Sequence, residues 1–197
     1  MHNILGAILA GGQSRRMGRP DKFLLPYHGQ SLLQRVIQIA QPQVETLVIN
    51  ANGDPQRLSE FQLLVVPDIW PEHQGPLAGI ISVMSWAQNA CPNASWLATF
   101  AADTPYFPED CVANLQLHAL QQSRQMVYAS CGGQPHYTFA VWSTALLPDL
   151  QRQFAKGERS LHRFIHSCNS ASVDFAGDSR WFFNFNSPAD WRQTDAP

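Results

Sequence analysis

Leu9-Ala10-Gly11-Gly12-Gln13-Ser14-Arg15-Arg16-Met17-Gly18-Arg19-Pro20-Asp21-Lys22 is the stretch on which the fold turns. It follows an apolar run over 4–9 that reads as a buried first strand. At Gly11-Gly12 the backbone lacks β-carbons, so it can turn through positive φ and lie against a ligand. Successive amides in such a turn form a concave nest suited to phosphate oxygens. Arg15, Arg16 and Lys22 add cations beside that nest. A loop both tight and basic suits a polyanion, above all a triphosphate. Lys22 is the first candidate for contact with phosphate at the reacting centre and Arg16 the second. Arg15 and Arg19 read equally as solvated side chains. The plainer alternative is a strand-to-helix turn followed by a solvated basic face. Two common phosphate loops are excluded: 12–18 has the wrong spacing for G-x-x-x-x-G-K-[ST], and there is no G-x-G-x-x-G.

A chain of 197 residues suits one domain over 1–197, large enough to bury roughly 70% of its unfolded surface. A net charge of −2 argues against a nucleic-acid partner, which makes the basic loop a local site. Cys91, Cys111, Cys131 and Cys168 are scattered without a C-x-x-C, neither a zinc pattern nor a disulfide framework. The apolar start is too short to span a bilayer and has no basic flank, so neither a membrane anchor nor a signal peptide is expected. The expected compartment is the cytoplasm.

Apolar runs and helical periods alternate along the rest of the chain. Strands are expected over 44–49, 63–66 and 96–101. Helices are expected over 31–40, 55–61, from Pro76 onward, and over 109–122. A short extended piece is expected over 23–25. Strands of opposite direction over 127–130 and 137–142, joined near Gly132-Gly133, come next. Helices near 146–154 and 160–166 follow, then late strands over 173–175 and 182–185. This pattern predicts an α/β protein, a three-layer α/β/α Rossmann-like arrangement on a mostly parallel sheet. In such sheets ligands collect beyond the carboxyl ends of the strands. The glycine loop, Asn50, Asp68 and Asp103 all fall at such ends.

Asp103 ends the unbroken apolar run over 97–102, at the mouth of a central strand. A carboxylate beside phosphates suits Mg²⁺, which prefers oxygen ligands and keeps several waters. The alternative is an Asp that caps the Thr104-Pro105 turn. Asp68 offers a carboxylate to the two donors on one edge of guanine, or caps a turn after Pro67. Asn50 is a further reader of base or ribose. His162 and His166 are one helical turn apart, but without H-E-x-x-H they read as a surface pair.

L-A-G-G-x-S-x-R-M-G-x-x-D-K resembles the signature of nucleotidyltransferases that activate small molecules with a nucleoside triphosphate. Gly-Pro-Leu-Ala-Gly at 75–79, Asp-Thr-Pro at 103–105, Gly-Glu-Arg at 157–159 and Phe-Asn-Phe-Asn-Ser-Pro at 183–188 narrow the likeness. Together they resemble the MobA-type molybdenum cofactor guanylyltransferases. The resemblance implies that Leu9, Ala10, Gly11, Gly12 and Lys22 hold GTP, that Asn50 and Asp68 contact the nucleotide, and that Asp103 binds Mg²⁺. It places Arg159, Asn184 and Asn186 toward the molybdopterin. Ser187 stands where Thr is usual, and Tyr137 where Pro is more familiar.

The reaction so implied is attack by the phosphate of molybdenum-bearing molybdopterin on the α-phosphorus of GTP, with loss of pyrophosphate. Its nucleophile is already an anion, which fits a chain with no Ser-His-Asp or Cys-His arrangement. A CTP-using relative, or an enzyme joining a nucleotide to another small phosphate, is the main rival. A nucleotide- or cofactor-binding module without turnover could drop Lys22 or Asp103; both are present. Molybdoenzymes or cofactor-delivery proteins are the expected macromolecular partners.

Overall fold

The structure, a computed structural model, describes residues 3–11, 21–71, 74–178 and 180–185. β1 (Ile4–Leu9) is buried along five of its six residues, which is why its sequence does not alternate. After the signature stretch a one-turn 3-10 helix, Lys22–Leu24, replaces the expected extended piece. The Leu24 amide donates to the Asp21 carbonyl at 2.9 Å, closing that turn. β2 (Pro26–Tyr27) and β3 (Gln30–Ser31) form a small hairpin. Ser31 then caps α1 (Leu32–Ala40), its hydroxyl accepting the Gln34 amide at 3.1 Å. Leu32, Leu33, Val36, Ile37 and Ala40 are buried, as their spacing predicts.

A 3-10 turn, Gln41–Gln43, leads into β4 (Thr46–Asn50). A 3-10 helix, Pro55–Phe61, capped by Asp54, precedes β5 (Leu64–Val66). Gly75 takes φ +83, and Pro76 then opens α2 (Pro76–Ala90). All of β6 (Trp96–Ala101) is buried. α3 (Cys111–Gln121) is followed by β7 (Met126–Cys131) and β8 (Gln134–Ser143), an antiparallel pair turned at Gly132 and Gly133. α4 (Leu147–Ala155), α5 (Leu161–Ser167) and β9 (Ser170–Asp174) complete the elements.

The sheet order is β5-β4-β1-β6-β8-β7-β9, parallel throughout except for β8. One apolar cluster joins the sheet to α1 and α3, the other to α2, α4 and α5. These are the three layers the sequence predicts. Residues 182–185 do not form the expected strand. Their backbone is used elsewhere: the Phe182 amide donates to Tyr106 O at 2.8 Å and the Phe185 amide to Asp103 O at 2.9 Å. No helix of the described residues is long and apolar enough to cross a membrane.

Register decides what meets at the carboxyl edge. Leu9 lies opposite Asn50 on one side and Ala101 on the other, and Asn50 lies opposite Val66. The residues that follow these strand ends therefore emerge together. Pairing between β7 and β8 shifts between Tyr128, opposite Ala140, and Ala129, opposite His136, so the start of β8 bulges at this same edge.

Candidate active site

The glycine loop leaves the sheet at its centre. Ala10 is buried and donates its amide to Asn50 O at 2.9 Å, while Leu9 O accepts from Ala102 at 3.3 Å. Gly11 is exposed at the mouth of the loop. Gly12 and Arg16, both expected in the site, lie outside the described residues. The chain returns at Lys22, whose Nζ stands 3.0 Å from Asp103 Oδ2. Two residues far apart in the sequence, each expected at the site on separate grounds, are thus in direct contact. Each side chain keeps about a quarter to a third of its surface in solvent (31% and 24%).

Beside this pair is a network of amides and one carboxylate. Asn50, 4% exposed, donates through Nδ2 to Asp68 Oδ1 at 2.9 Å and to Val66 O at 3.0 Å. Asn52 donates to Asp68 Oδ2 at 2.7 Å and takes the Asp68 amide on its Oδ1 at 2.8 Å. Asn52 was not among the expected site residues. Its signal was present: past a strand end, Asn-Ala-Asn sets residues i and i+2 on one face. A β-carbon at Gly79 would stand 2.1 Å from Asn50 Oδ1, so α2 is bare at that point to seat Asn50.

Arg159 lies at the start of α2. Its Nε donates to Gln74 Oε1 at 2.8 Å, its Nη1 to the carbonyls of Phe154 at 2.6 Å and Glu158 at 2.9 Å. The guanidinium also covers the Phe154 ring at 3.6 Å. Glu158 is held down at a pKa of about 2, first by hydrogen bonds from the Arg163 side chain and then by the Ser160 amide. Asn184 is exposed, next to Phe185, whose ring is buried against Tyr27 at 5.1 Å and Tyr106 at 6.0 Å. Asn186 lies outside the described residues. On the bulged end of β8, His136 stacks on Phe182 at 4.8 Å, and burial lowers its pKa. His162 and His166 are exposed and adjacent, with the Tyr137 hydroxyl 3.2 Å from His166 Nε2.

Among the described residues, no group of three His, Cys, Asp or Glu side chains could hold a metal ion alone. The donor set on offer at Asp103 is one carboxylate at an open edge. That set suits a hard ion that keeps waters and takes its other oxygens from substrate phosphates.

The end of β1 at Ala10-Gly11, the Lys22–Asp103 pair and the Asp68 carboxylate network thus share the carboxyl edge of a mostly parallel sheet. The chain belongs to the MobA-like NTP transferase domain family, whose model matches residues 6–173. A molybdenum cofactor guanylyltransferase of Rhizobium meliloti (strain 1021) is 42% identical over 196 residues, covering 96% of this chain and 89% of that protein. One from Yersinia pestis (strain Pestoides F) is 38% identical, covering 97% and 96%. The crystal structure of molybdopterin-guanine dinucleotide biosynthesis protein A from Archaeoglobus fulgidus superimposes with a TM-score of 0.77. That match covers 97% of this chain and 96% of the other at 20% identity, a likeness of fold.

Proposed function

We propose that the chain, acting as one domain over 1–197, transfers GMP from GTP to the phosphate of molybdenum-bearing molybdopterin. The products are the guanine dinucleotide cofactor and pyrophosphate. The observation that carries this reading is the 3.0 Å contact of Lys22 with Asp103 at the carboxyl edge, next to the glycine loop. The names of the relatives supply the acceptor and the nucleotide.

In this reading the backbone at Leu9, Ala10, Gly11 and Gly12 cradles the triphosphate, and Lys22 and Arg16 neutralise the charge that grows on its phosphates. Such charge is held more strongly in the transition state than in the ground state, which is what raises the rate. Asp103 holds Mg²⁺, which when bound supplies further neutralisation of phosphate charge. Asn50 and Asn52 fix the Asp68 carboxylate. A carboxylate has about four acceptor positions, so two remain for the N–H and amino donors of guanine. Arg159, Asn184 and Asn186 serve the acceptor side, Arg159 by shaping the start of α2. The incoming phosphate is already anionic, so positioning does most of what is needed and no side chain must remove a proton.

All four cysteines are free thiols, in keeping with a cytoplasmic enzyme. The dinucleotide product is handed on to a molybdoenzyme or a delivery protein. The test is to incubate purified protein with Mg²⁺, molybdopterin and each of the four nucleoside triphosphates, and to read dinucleotide and pyrophosphate. GTP should give both. Product from CTP with none from GTP overturns the guanylyl assignment.

A further inference from the structure

We infer that Arg57 is a positioning residue for triphosphate binding: it holds Asp21 and so aims Lys22. This rests on the reading of Lys22 as a phosphate contact. Three consecutive residues point three ways. Asp21 meets Arg57, with Nε 2.7 Å from Oδ2; Lys22 meets Asp103 at 3.0 Å; Phe23 is buried in the core below α1. The Asp21 side chain is only 7% exposed and that of Arg57 17%, so the first pair is largely withdrawn from water.

Withdrawal changes what the pair is for. Breaking a pair that far from solvent is costly, and a guanidinium offers the carboxylate a fixed donor geometry. The Asp21 carbonyl, in turn, accepts the Leu24 amide and opens the one-turn helix that carries Lys22. Fixing the side chain of Asp21 therefore fixes the start of that turn and the direction in which Lys22 leaves it.

Arg57 can act as an anchor because it is itself anchored. It sits on the 3-10 helix Pro55–Phe61, whose Leu58 and Phe61 are buried. Its Nη1 donates to Asp54 O at 2.8 Å, and Asp54 caps the same helix through the Gln56 amide at 2.9 Å. That helix begins three residues after Asn50-Ala51-Asn52, which holds Asp68. One short segment thus links the carboxylate network to the lysine on the phosphate side, fixing their relative placement before a nucleotide enters.

The test is a double-mutant cycle on GTP affinity, measured by calorimetry, with thermal midpoints recorded for every variant. Removing a group behind a ligand-contacting side chain costs about tenfold to a hundredfold in well-studied metal sites. Arg57→Gln should weaken GTP about tenfold and leave the KM for molybdopterin unchanged. Arg57→Lys, which keeps the charge but not the planar fork, should lose about threefold. In a Lys22→Ala background the Arg57→Gln effect should shrink below about twofold, because it acts through Lys22. If Arg57→Gln does not fold, the same cycle is run with Arg57→Lys. Effects that add across the cycle overturn the proposal, as do folded Arg57 variants with wild-type GTP affinity. An Arg57→Lys protein that fails to fold makes the pair structural and also overturns it. Wild-type GTP affinity in Lys22→Ala alone instead removes the reading of Lys22, a separate and recognisable result.

Discussion

The backbone amide of Phe185 donates to the carbonyl oxygen of Asp103 at 2.9 Å. The segment that carries Asn184 is therefore tied to the turn that carries the proposed metal-binding carboxylate. Substrate groups held by that segment would be set relative to Asp103 by main chain, not by long side chains. Phe185 secures the arrangement, being 1% exposed between Tyr27 and Tyr106, whose hydroxyls are themselves 3.2 Å apart.

Phe185→Ala should accordingly do two things. Truncating a buried Phe costs about 3–5 kcal/mol, so the thermal midpoint should fall by many degrees. At a temperature where the variant is still folded, KM for molybdopterin should rise more than KM for GTP. Steady-state kinetics with each substrate varied in turn checks this, and an equal rise in both would detach the segment from the acceptor side.

Asp103→Asn separates charge from shape. The side chain is partly exposed and its pair with Lys22 is of the surface kind, worth about 0–1 kcal/mol, so the thermal midpoint should hardly move. Turnover should fall by at least about 10²-fold, the scale seen when a group that stabilises transition-state charge is lost. Pyrophosphate release is the readout. A variant within a few-fold of wild type would remove Asp103 from the chemistry.

Gly79→Ala pits helix propensity against a collision. Alanine favours an α-helix over glycine by roughly 1 kcal/mol. Here the new β-carbon would sit 2.1 Å from Asn50 Oδ1 and 2.9 Å from its Cγ. Asn50 cannot swing aside cheaply, since it is 4% exposed and both its bonds to Val66 and Asp68 hold it. Overpacking should win, destabilising the protein by about 1–3 kcal/mol. Releasing Asp68 from Asn50 should also raise KM for GTP. Chemical denaturation and GTP titration measure the two effects, and a stabilised variant would show that Asn50 yields.

What was legible in the sequence follows from the sheet. Asn50, Asp68 and Asp103 each stand just at or beyond an apolar run, and parallel register brings such ends together without further information. Lys22 is not at a strand end, and its contact with Asp103 was legible only through the signature stretch that it closes. The Asp21–Arg57 pair was not legible, because Arg57 lies in a 3-10 segment where neither a period of 3.6 nor of 2 says which way a side chain points. The alternation Phe182-Phe183-Asn184-Phe185 carries enough aromatic character to suggest a strand. The amides of Phe182 and Phe185 instead bond to the 103–106 turn, so tertiary contacts override local preference. Arg159 has a similar history: its motif resembles an acceptor contact, whereas its guanidinium is bonded to Gln74, just before α2, and to the carbonyls of Phe154 and Glu158.

His136 should leave a mark on stability below neutral pH. It stacks on Phe182 at 4.8 Å, and burial lowers its pKa from an ordinary value of 6.5. As pH falls through that value the unfolded chain takes up a proton at this position before the folded chain does. The unfolded state then binds more protons, so folding stability declines as pH drops, until the folded-state pKa is passed and the loss levels off. Above about pH 7 both states are neutral there and the residue contributes no slope. His136→Phe keeps a ring on Phe182 and removes the titration. Its thermal midpoint should therefore match wild type near pH 7.5 and exceed it at pH 5. Parallel melts across that range decide the matter: if the two curves stay superimposed down to pH 5, His136 is protonated as readily in the folded protein as in the unfolded chain.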